Sequence, residues 1–104
     1  MPHIHNIVIA GLGTVGTSTI KLIEKNINIF SLKSNLKIKI IGICAKNKLK
    51  KRNFVKKKYK WFNDPIKMLK EKKVDTVIEL IGGLGIAKTI CYEALKNNKN
   101  LITA

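Results

Sequence analysis

Three closely spaced glycines between a short apolar run and a segment of helical period constrain the fold of this chain most strongly. Residues 6–10 form the apolar run, and Gly11, Gly13 and Gly16 follow it with the spacing GxGxxG. Beyond the glycines, apolar side chains recur in steps of three and four residues, at Ile20, Ile23, Ile27 and Phe30. This order predicts a β-strand, a sharp turn and an amphipathic helix that begins at Gly16.

The rest of the chain continues the alternation of strands and helices. Four further runs predict strands, of which the second is the weakest: 37–45, 59–62, 74–81 and 101–103. A helix start is predicted at Asp64, because an acidic N-cap precedes a proline at the first helical position. Another helix is predicted by apolar residues at i, i+3, i+4, i+7 and i+8, namely Ala87, Ile90, Cys91, Ala94 and Leu95.

Helices that alternate with apolar strands require right-handed crossovers and a parallel sheet covered on both faces. The sequence therefore predicts an α/β fold, a Rossmann-type doubly wound parallel sheet of about five strands in the order 3-2-1-4-5. No internal repeat and no linker divides the chain, so we expect residues 1–104 to form one domain.

Composition and charge exclude several classes of protein. No run approaches the ~20 apolar residues of a membrane span, and no secretory pattern or cysteine motif is present, so we expect a cytoplasmic protein without membrane, disulfide or metal. His3 and His5 lack a third ligand and are expected to lie in a solvated N-terminal segment.

The net charge of +15 raises the question of a nucleic-acid partner. Nine basic residues lie between Lys46 and Lys60 without an acid, but Arg52 is the only arginine of the chain and stacking aromatic residues are nearly missing there. A genome rich in A and T would produce the same lysine bias without selection. We therefore interpret this run as a solvated loop and do not favour a nucleic-acid partner.

The glycine motif has the position of a dinucleotide-binding turn. Gly11 permits the sharp turn, Gly13 lets the backbone approach a pyrophosphate, and Gly16 lets the helix pack closely on the sheet. The N–H groups of Thr14, Val15 and the flanking glycines would point at the phosphates, where the helix dipole adds partial positive charge. A glycine-rich turn without a ligand is the alternative interpretation.

The end of the second predicted strand bears on the choice of cofactor. Sites for NAD typically have an acid there that binds the ribose 2′-hydroxyl, whereas this strand ends in Ala45 and Lys46, with no acid before Asp64. Because a lysine attracts a 2′-phosphate, the sequence favours NADP(H) and leaves NAD(H) open. Alternatively, Lys46 belongs only to the solvated basic loop.

The ends of the last two predicted strands lie at the same edge of the sheet, where ligands bind in open α/β folds. Ile81, Gly82 and Gly83 follow one strand, and their backbone could approach a ribose or a nicotinamide. Thr103 ends the other strand. Glu79 lies within an apolar strand, where a carboxylate is costly without hydrogen bonds, so we expect it to accept backbone N–H groups rather than to act in acid–base chemistry.

Four stretches that run in order along the chain carry a family resemblance: 9–16, 59–65, 77–83 and 101–104. The most specific are Glu-Leu-Ile-Gly-Gly from Glu79 and the closing Thr-Ala from Thr103. Together they resemble the N-terminal NAD(P)-binding domain of homoserine dehydrogenase. In that family the Thr-Ala pair continues into Asn-Lys-Ala-Leu, whose lysine is catalytic.

The resemblance implies the NAD(P)-dependent interconversion of L-aspartate 4-semialdehyde and L-homoserine, in threonine and methionine synthesis, by a full-length homo-oligomer. It implies that the motif from Gly11 to Gly16 holds the pyrophosphate and that Lys46 holds the adenosine ribose or its 2′-phosphate. Gly82, Gly83 and Thr103 would face the nicotinamide.

The resemblance assigns no catalytic residue to this chain, because the family's catalytic lysine and substrate-binding acids do not occur in it. We therefore expect these residues to bind cofactor without catalysing the reaction. The alternative is a non-catalytic Rossmann module that senses nucleotide or binds nucleic acid through its lysine-rich loop.

Overall fold

A computed structural model of the chain describes residues 3–11, 16–44, 59–81 and 85–103, with residues 16–19 as backbone only. Strands and helices alternate along these residues: β1 His3–Ala10, α1 Gly16–Lys33, β2 Leu36–Cys44, α2 Pro65–Leu69, β3 Thr76–Glu79, α3 Ile86–Lys96 and β4 Asn100–Thr103. None of the helices in these ranges combines the length and hydropathy that crossing a bilayer requires.

The strands form one parallel sheet in the order β2-β1-β3-β4. This confirms the predicted α/β fold and its order, with one correction to the strand count. The third predicted strand is reduced to a single parallel bridge between Trp61 and Ile43, so the sheet of the described residues has four strands. Trp61 lies beside β2 as predicted. Because α2 begins at Pro65, the segment before it is too short to form a row of backbone hydrogen bonds with β2.

The first strand is longer than predicted, because residues 3–5 pair with residues 36–38 of β2. His3 is exposed, as expected, but the solvated segment predicted for both histidines is wrong for His5. The ring of His5 is half-buried, and its Nε2 is 2.7 Å from the hydroxyl oxygen of Thr76, within hydrogen-bond distance. The sequence predicted the start of β1 at residue 6, where the apolar run begins. Main-chain pairing with β2 does not require apolar side chains, so the strand extends back to His3.

Helices cover both faces of the sheet, because side chains alternate between the faces along each strand. Ile7 and Ile9 of β1 pack on the α1 side, where the buried cluster also contains Ile20, Ile40 and Ile43. The opposite side packs on α2 and α3, with a buried cluster that includes Val8, Ala10, Met68, Leu69, Val77, Ile90 and Ala94. Burying each of the larger side chains contributes about 1.5–3 kcal/mol.

Side-chain hydrogen bonds hold two segments that follow β2, one by a local contact and one by a contact with α1. Asp64 caps α2 as predicted, because its Oδ1 accepts a hydrogen bond from the backbone N–H of Ile66 at 2.9 Å. The hydroxyl of Tyr59 donates a hydrogen bond to Glu24 of α1. Burial and this contact with Glu24 raise the pKa of Tyr59 above its usual range. Tyr59 therefore remains a hydrogen-bond donor in alkaline solution as well as at neutral pH, and it joins its segment to α1.

Candidate functional site

The last residues of the four strands lie in one row across the sheet. Ala10 pairs with Cys44 on one side and with Glu79 on the other, and Glu79 pairs with Thr103. In the sheet, β2 lies on one side of β1, whereas β3 and β4 lie on the other side. The strand order therefore reverses next to β1, and in open α/β sheets a ligand binds in the crevice at such a reversal.

Gly11 forms the turn out of β1 at the middle of this row. Its φ of +85° lies in the region that glycine adopts without strain, and its N–H donates to the carbonyl of Cys44 at 2.7 Å. A Cβ on Gly11 would lie 2.3 Å from Cγ1 of Ile81 and 2.9 Å from its backbone nitrogen. The exits of β1 and β3 therefore pack against each other at a position where only glycine fits.

Ile81 lies at the exit of β3, where the backbone N–H of Leu80 still donates to the carbonyl of Ala10 at 2.9 Å. The side chain of Ile81 is 42% exposed at this edge, although the strand before it is buried. Thr103 is exposed at the end of β4. Both predicted site residues therefore lie at the edge where a ligand is expected.

Four residues separate Gly11 from the start of α1, so the chain itself keeps the amino end of the helix close to this edge. The helix begins at Gly16, and its first turn contains no acidic residue that would oppose the partial positive charge of a helix N-terminus. The other predicted site residues lie outside the described ranges, and they are Gly13, Thr14, Val15, Ala45, Lys46, Gly82 and Gly83.

A buried carboxylate lies directly below the edge. Glu79 is 1% exposed, and its Oε1 accepts a hydrogen bond from the hydroxyl of Thr103 at 2.7 Å. The sequence led us to expect backbone N–H donors for Glu79 and did not predict this pair. The signal that could have found it is the register, because both residues end neighbouring parallel strands.

The thiol nearest to the edge has no features of a nucleophile. Cys44 is buried, and this burial raises the pKa of its thiol. The negative charge of Asp64 raises the pKa further, by a smaller amount. A protonated thiol is a poor nucleophile, so Cys44 serves as a small core residue. Among the described residues, no group of three histidine, cysteine or acidic side chains is placed to hold a metal ion.

An apolar cavity of about 390 Å³ lies on the α1 side of the sheet, and its lining reaches from the strand starts to Ile78 and Ile102, one residue before the ends of β3 and β4. Its lining includes His5 and Thr76 from the strand starts, together with Ile27 and Phe30 of α1. Of the predicted site residues that the structure describes with side chains or a turn, Gly11, Ile81 and Thr103, none lines this cavity. The carboxyl edge is the better candidate because the turn, the helix N-terminus and the polar pair Glu79 and Thr103 meet there.

Several known proteins with similar sequences and folds share one description. The family model described as homoserine dehydrogenase, NAD binding domain, matches residues 11–104. Homoserine dehydrogenase from Neisseria gonorrhoeae is 34% identical over 99 residues, or 95% of this chain. The crystal structure of S. aureus homoserine dehydrogenase at pH 7.0 matches 100% of the chain with a TM-score of 0.88 and 34% identity. The enzyme from Thiobacillus denitrificans, with a TM-score of 0.81 at 24% identity, supports the fold alone.

These relatives are much longer than this chain. It covers 22% of the N. gonorrhoeae protein and 26% of the S. aureus chain. The similarity extends over nearly all of this chain but over only about a quarter of each relative. It therefore concerns one domain of those proteins, the one that the family model describes as NAD-binding.

Proposed function

The chain belongs to the homoserine dehydrogenase family, as the part that binds a nicotinamide nucleotide, and we propose that its carboxyl edge binds NADP(H) in preference to NAD(H). The observation that most supports a dinucleotide at this edge is the aligned row of strand ends around Gly11, with its φ of +85°. The preference for NADP(H) rests on Lys46. A dinucleotide has two halves joined by a pyrophosphate. The reversal of strand order offers one side of the row to each half.

Each half of the dinucleotide would then lie over the ends of different strands. The glycine turn and the start of α1 would hold the pyrophosphate, where helix N–H groups and the helix dipole favour negative charge. The adenosine half would lie over the end of β2, near Lys46, and the nicotinamide half over the ends of β3 and β4. Ile81 and Thr103 are the described residues on that second side.

We further propose that this domain serves the interconversion of L-aspartate 4-semialdehyde and L-homoserine within a longer, homo-oligomeric enzyme. The bound nicotinamide supplies the hydride chemistry, and the protein supplies binding and orientation. In this chain, Gly11 and Ile81 shape the turn on which the cofactor would rest. No residue of the chain is proposed to act on the substrate.

The experiment that tests this function is a calorimetric titration of the folded chain with NADPH, paired with an assay of NADPH oxidation by L-aspartate 4-semialdehyde. We expect one binding site per chain and no turnover that depends on the protein. Absence of binding to a chain with a cooperative unfolding transition would contradict the proposed cofactor site. Turnover by these residues alone would contradict the assignment of catalysis to other parts of the enzyme.

A Lys46→Asp substitution is expected to weaken NADPH binding by about 1–3 kcal/mol, the range for losing a charged hydrogen bond. NADH lacks the 2′-phosphate, so its binding should weaken much less. Lysine acts as a point charge without the fork of arginine, and the contact should therefore weaken as salt is added. Calorimetry with both nucleotides measures the difference.

Lys37→Asp is the matched control, because Lys37 is exposed near the start of β2, at the opposite end of the strand from Lys46. It makes the same change in net charge and should leave the preference between the two nucleotides unchanged. If Lys46→Asp weakens NADPH and NADH equally, Lys46 belongs to the solvated loop and the preference has another source.

A further inference from the structure

We propose that Glu79 is a positioning residue for Thr103, and that the hydroxyl of Thr103 accepts a hydrogen bond from the nicotinamide half of the cofactor. This inference rests on the proposed function and adds to it a role for Glu79 and a defined contact for Thr103. Glu79 would act through Thr103, and Thr103 would make the contact with the ligand. The evidence is the placement of this pair at the carboxyl edge of the sheet.

The pair joins the inside of the sheet to its surface. Glu79 is the last residue of β3 and is 1% exposed, whereas Thr103 is the last residue of β4 and is exposed. The strands place the two residues opposite each other, and the Thr103 hydroxyl lies 2.7 Å from Oε1 of Glu79. A buried group therefore holds the side chain of an exposed one.

The direction of this hydrogen bond determines what Thr103 can offer a ligand. A hydroxyl has one proton, and that of Thr103 is donated to Glu79. Toward a ligand, the oxygen can therefore act only as an acceptor. The nicotinamide half carries matching donors, the carboxamide NH₂ and the ribose hydroxyls, on the side of the row where β4 ends.

Packing alone does not account for an acid at position 79. A carboxylate removed from water is costly unless hydrogen bonds compensate for it, and the preceding residues Val77 and Ile78 show that apolar side chains suit this strand. An acceptor at this position selects one rotamer of Thr103 from the three staggered ones. Fixing that rotamer before the ligand arrives lowers the entropy cost of binding.

The test compares NADPH with 2′-phospho-ADP, which lacks the nicotinamide and the ribose attached to it. Thr103→Val retains the side-chain shape and removes the hydroxyl, so NADPH affinity should fall about threefold to tenfold, as for one hydrogen bond. Affinity for 2′-phospho-ADP should not change, and Thr103→Ser should retain NADPH binding. Thr76→Val is the matched control, because it removes a hydroxyl at the other end of β3 that contacts His5.

Variants of Glu79 test the positioning role. Glu79→Gln keeps an acceptor oxygen and should retain NADPH affinity, whereas Glu79→Met should lose as much as Thr103→Val. The double variant Glu79→Met/Thr103→Val should bind NADPH no worse than Thr103→Val alone. Thermal unfolding shows which variants are folded, and if Glu79→Met is not, the comparison of Thr103→Val with Thr103→Ser decides the contact.

Three outcomes would overturn the inference or its premise. Equal losses for both ligands in Glu79→Met would indicate a structural role only. An unchanged ratio of the two affinities in Thr103→Val would exclude the nicotinamide contact while leaving the proposed cofactor site intact. Failure of the wild-type chain to bind either ligand would contradict the proposed function itself.

Discussion

Gly11→Ala is expected to lower the free energy of unfolding by about 2–5 kcal/mol, a large part of the stability of a small domain. Two costs add. A φ of +85° disfavours any residue with a Cβ, at roughly 1–2 kcal/mol. The new Cβ would also lie 2.3 Å from Cγ1 of Ile81 and 2.9 Å from its backbone nitrogen, and such overpacking costs roughly 1–3 kcal/mol. Urea unfolding measures the loss.

Gly85→Ala provides the control for this experiment. A Cβ on Gly85, at the start of α3, would meet no atom within 4 Å, and its φ is −83°. Its loss of stability should be well below that of Gly11→Ala. Equal stabilities of the wild-type chain and Gly11→Ala would show that the exits of β1 and β3 do not pack as described.

Gly13→Val is expected to weaken NADPH binding by about 100-fold or more, equivalent to roughly 3 kcal/mol, while the chain still folds. The reason lies in the motif, since the second glycine of GxGxxG is the position where the backbone approaches the pyrophosphate. A branched side chain there would occupy the space of a phosphate. Calorimetry with NADPH measures the affinity, and thermal unfolding reports whether the variant is folded.

The same Gly85→Ala variant serves as a control for binding, because it adds a side chain at a different turn of the same edge. It should bind NADPH within a few-fold of the wild-type chain. If Gly13→Val and the wild-type chain bind NADPH equally, the pyrophosphate does not lie on the glycine turn, and the placement of the cofactor is wrong.

The sequence predicted most elements of the fold because their signals are local. Helix α1 follows from apolar residues spaced by three and four, and α2 from Asp64, whose carboxylate caps it. The parallel sheet followed from the alternation of strands and helices, and the strand order from the Rossmann pattern that the glycine turn after the first strand indicates. Of the predicted site, the described residues Gly11, Ile81 and Thr103 lie at one edge for the same reason.

Features that depend on pairing between distant segments could not be predicted from local signals. Residues 3–5 extend β1 only because β2 offers partners, and Trp61 makes a single bridge because α2 starts four residues later. The hydrogen bond from Thr103 to Glu79 likewise depends on the register between β3 and β4. A register is set by the packing of the whole sheet and is not visible in either strand alone.

The central claim is that the row of strand ends binds a nicotinamide nucleotide, and backbone amide NMR during a titration with NADP⁺ tests it most directly. We expect the amide signals of Gly11, Ile81 and Thr103 to shift with saturation at one nucleotide per chain. Signals from the apolar cavity, such as those of Ile27 and Phe30, should stay in place. Shifts confined to that cavity, or none at high NADP⁺ concentration, would contradict the claim.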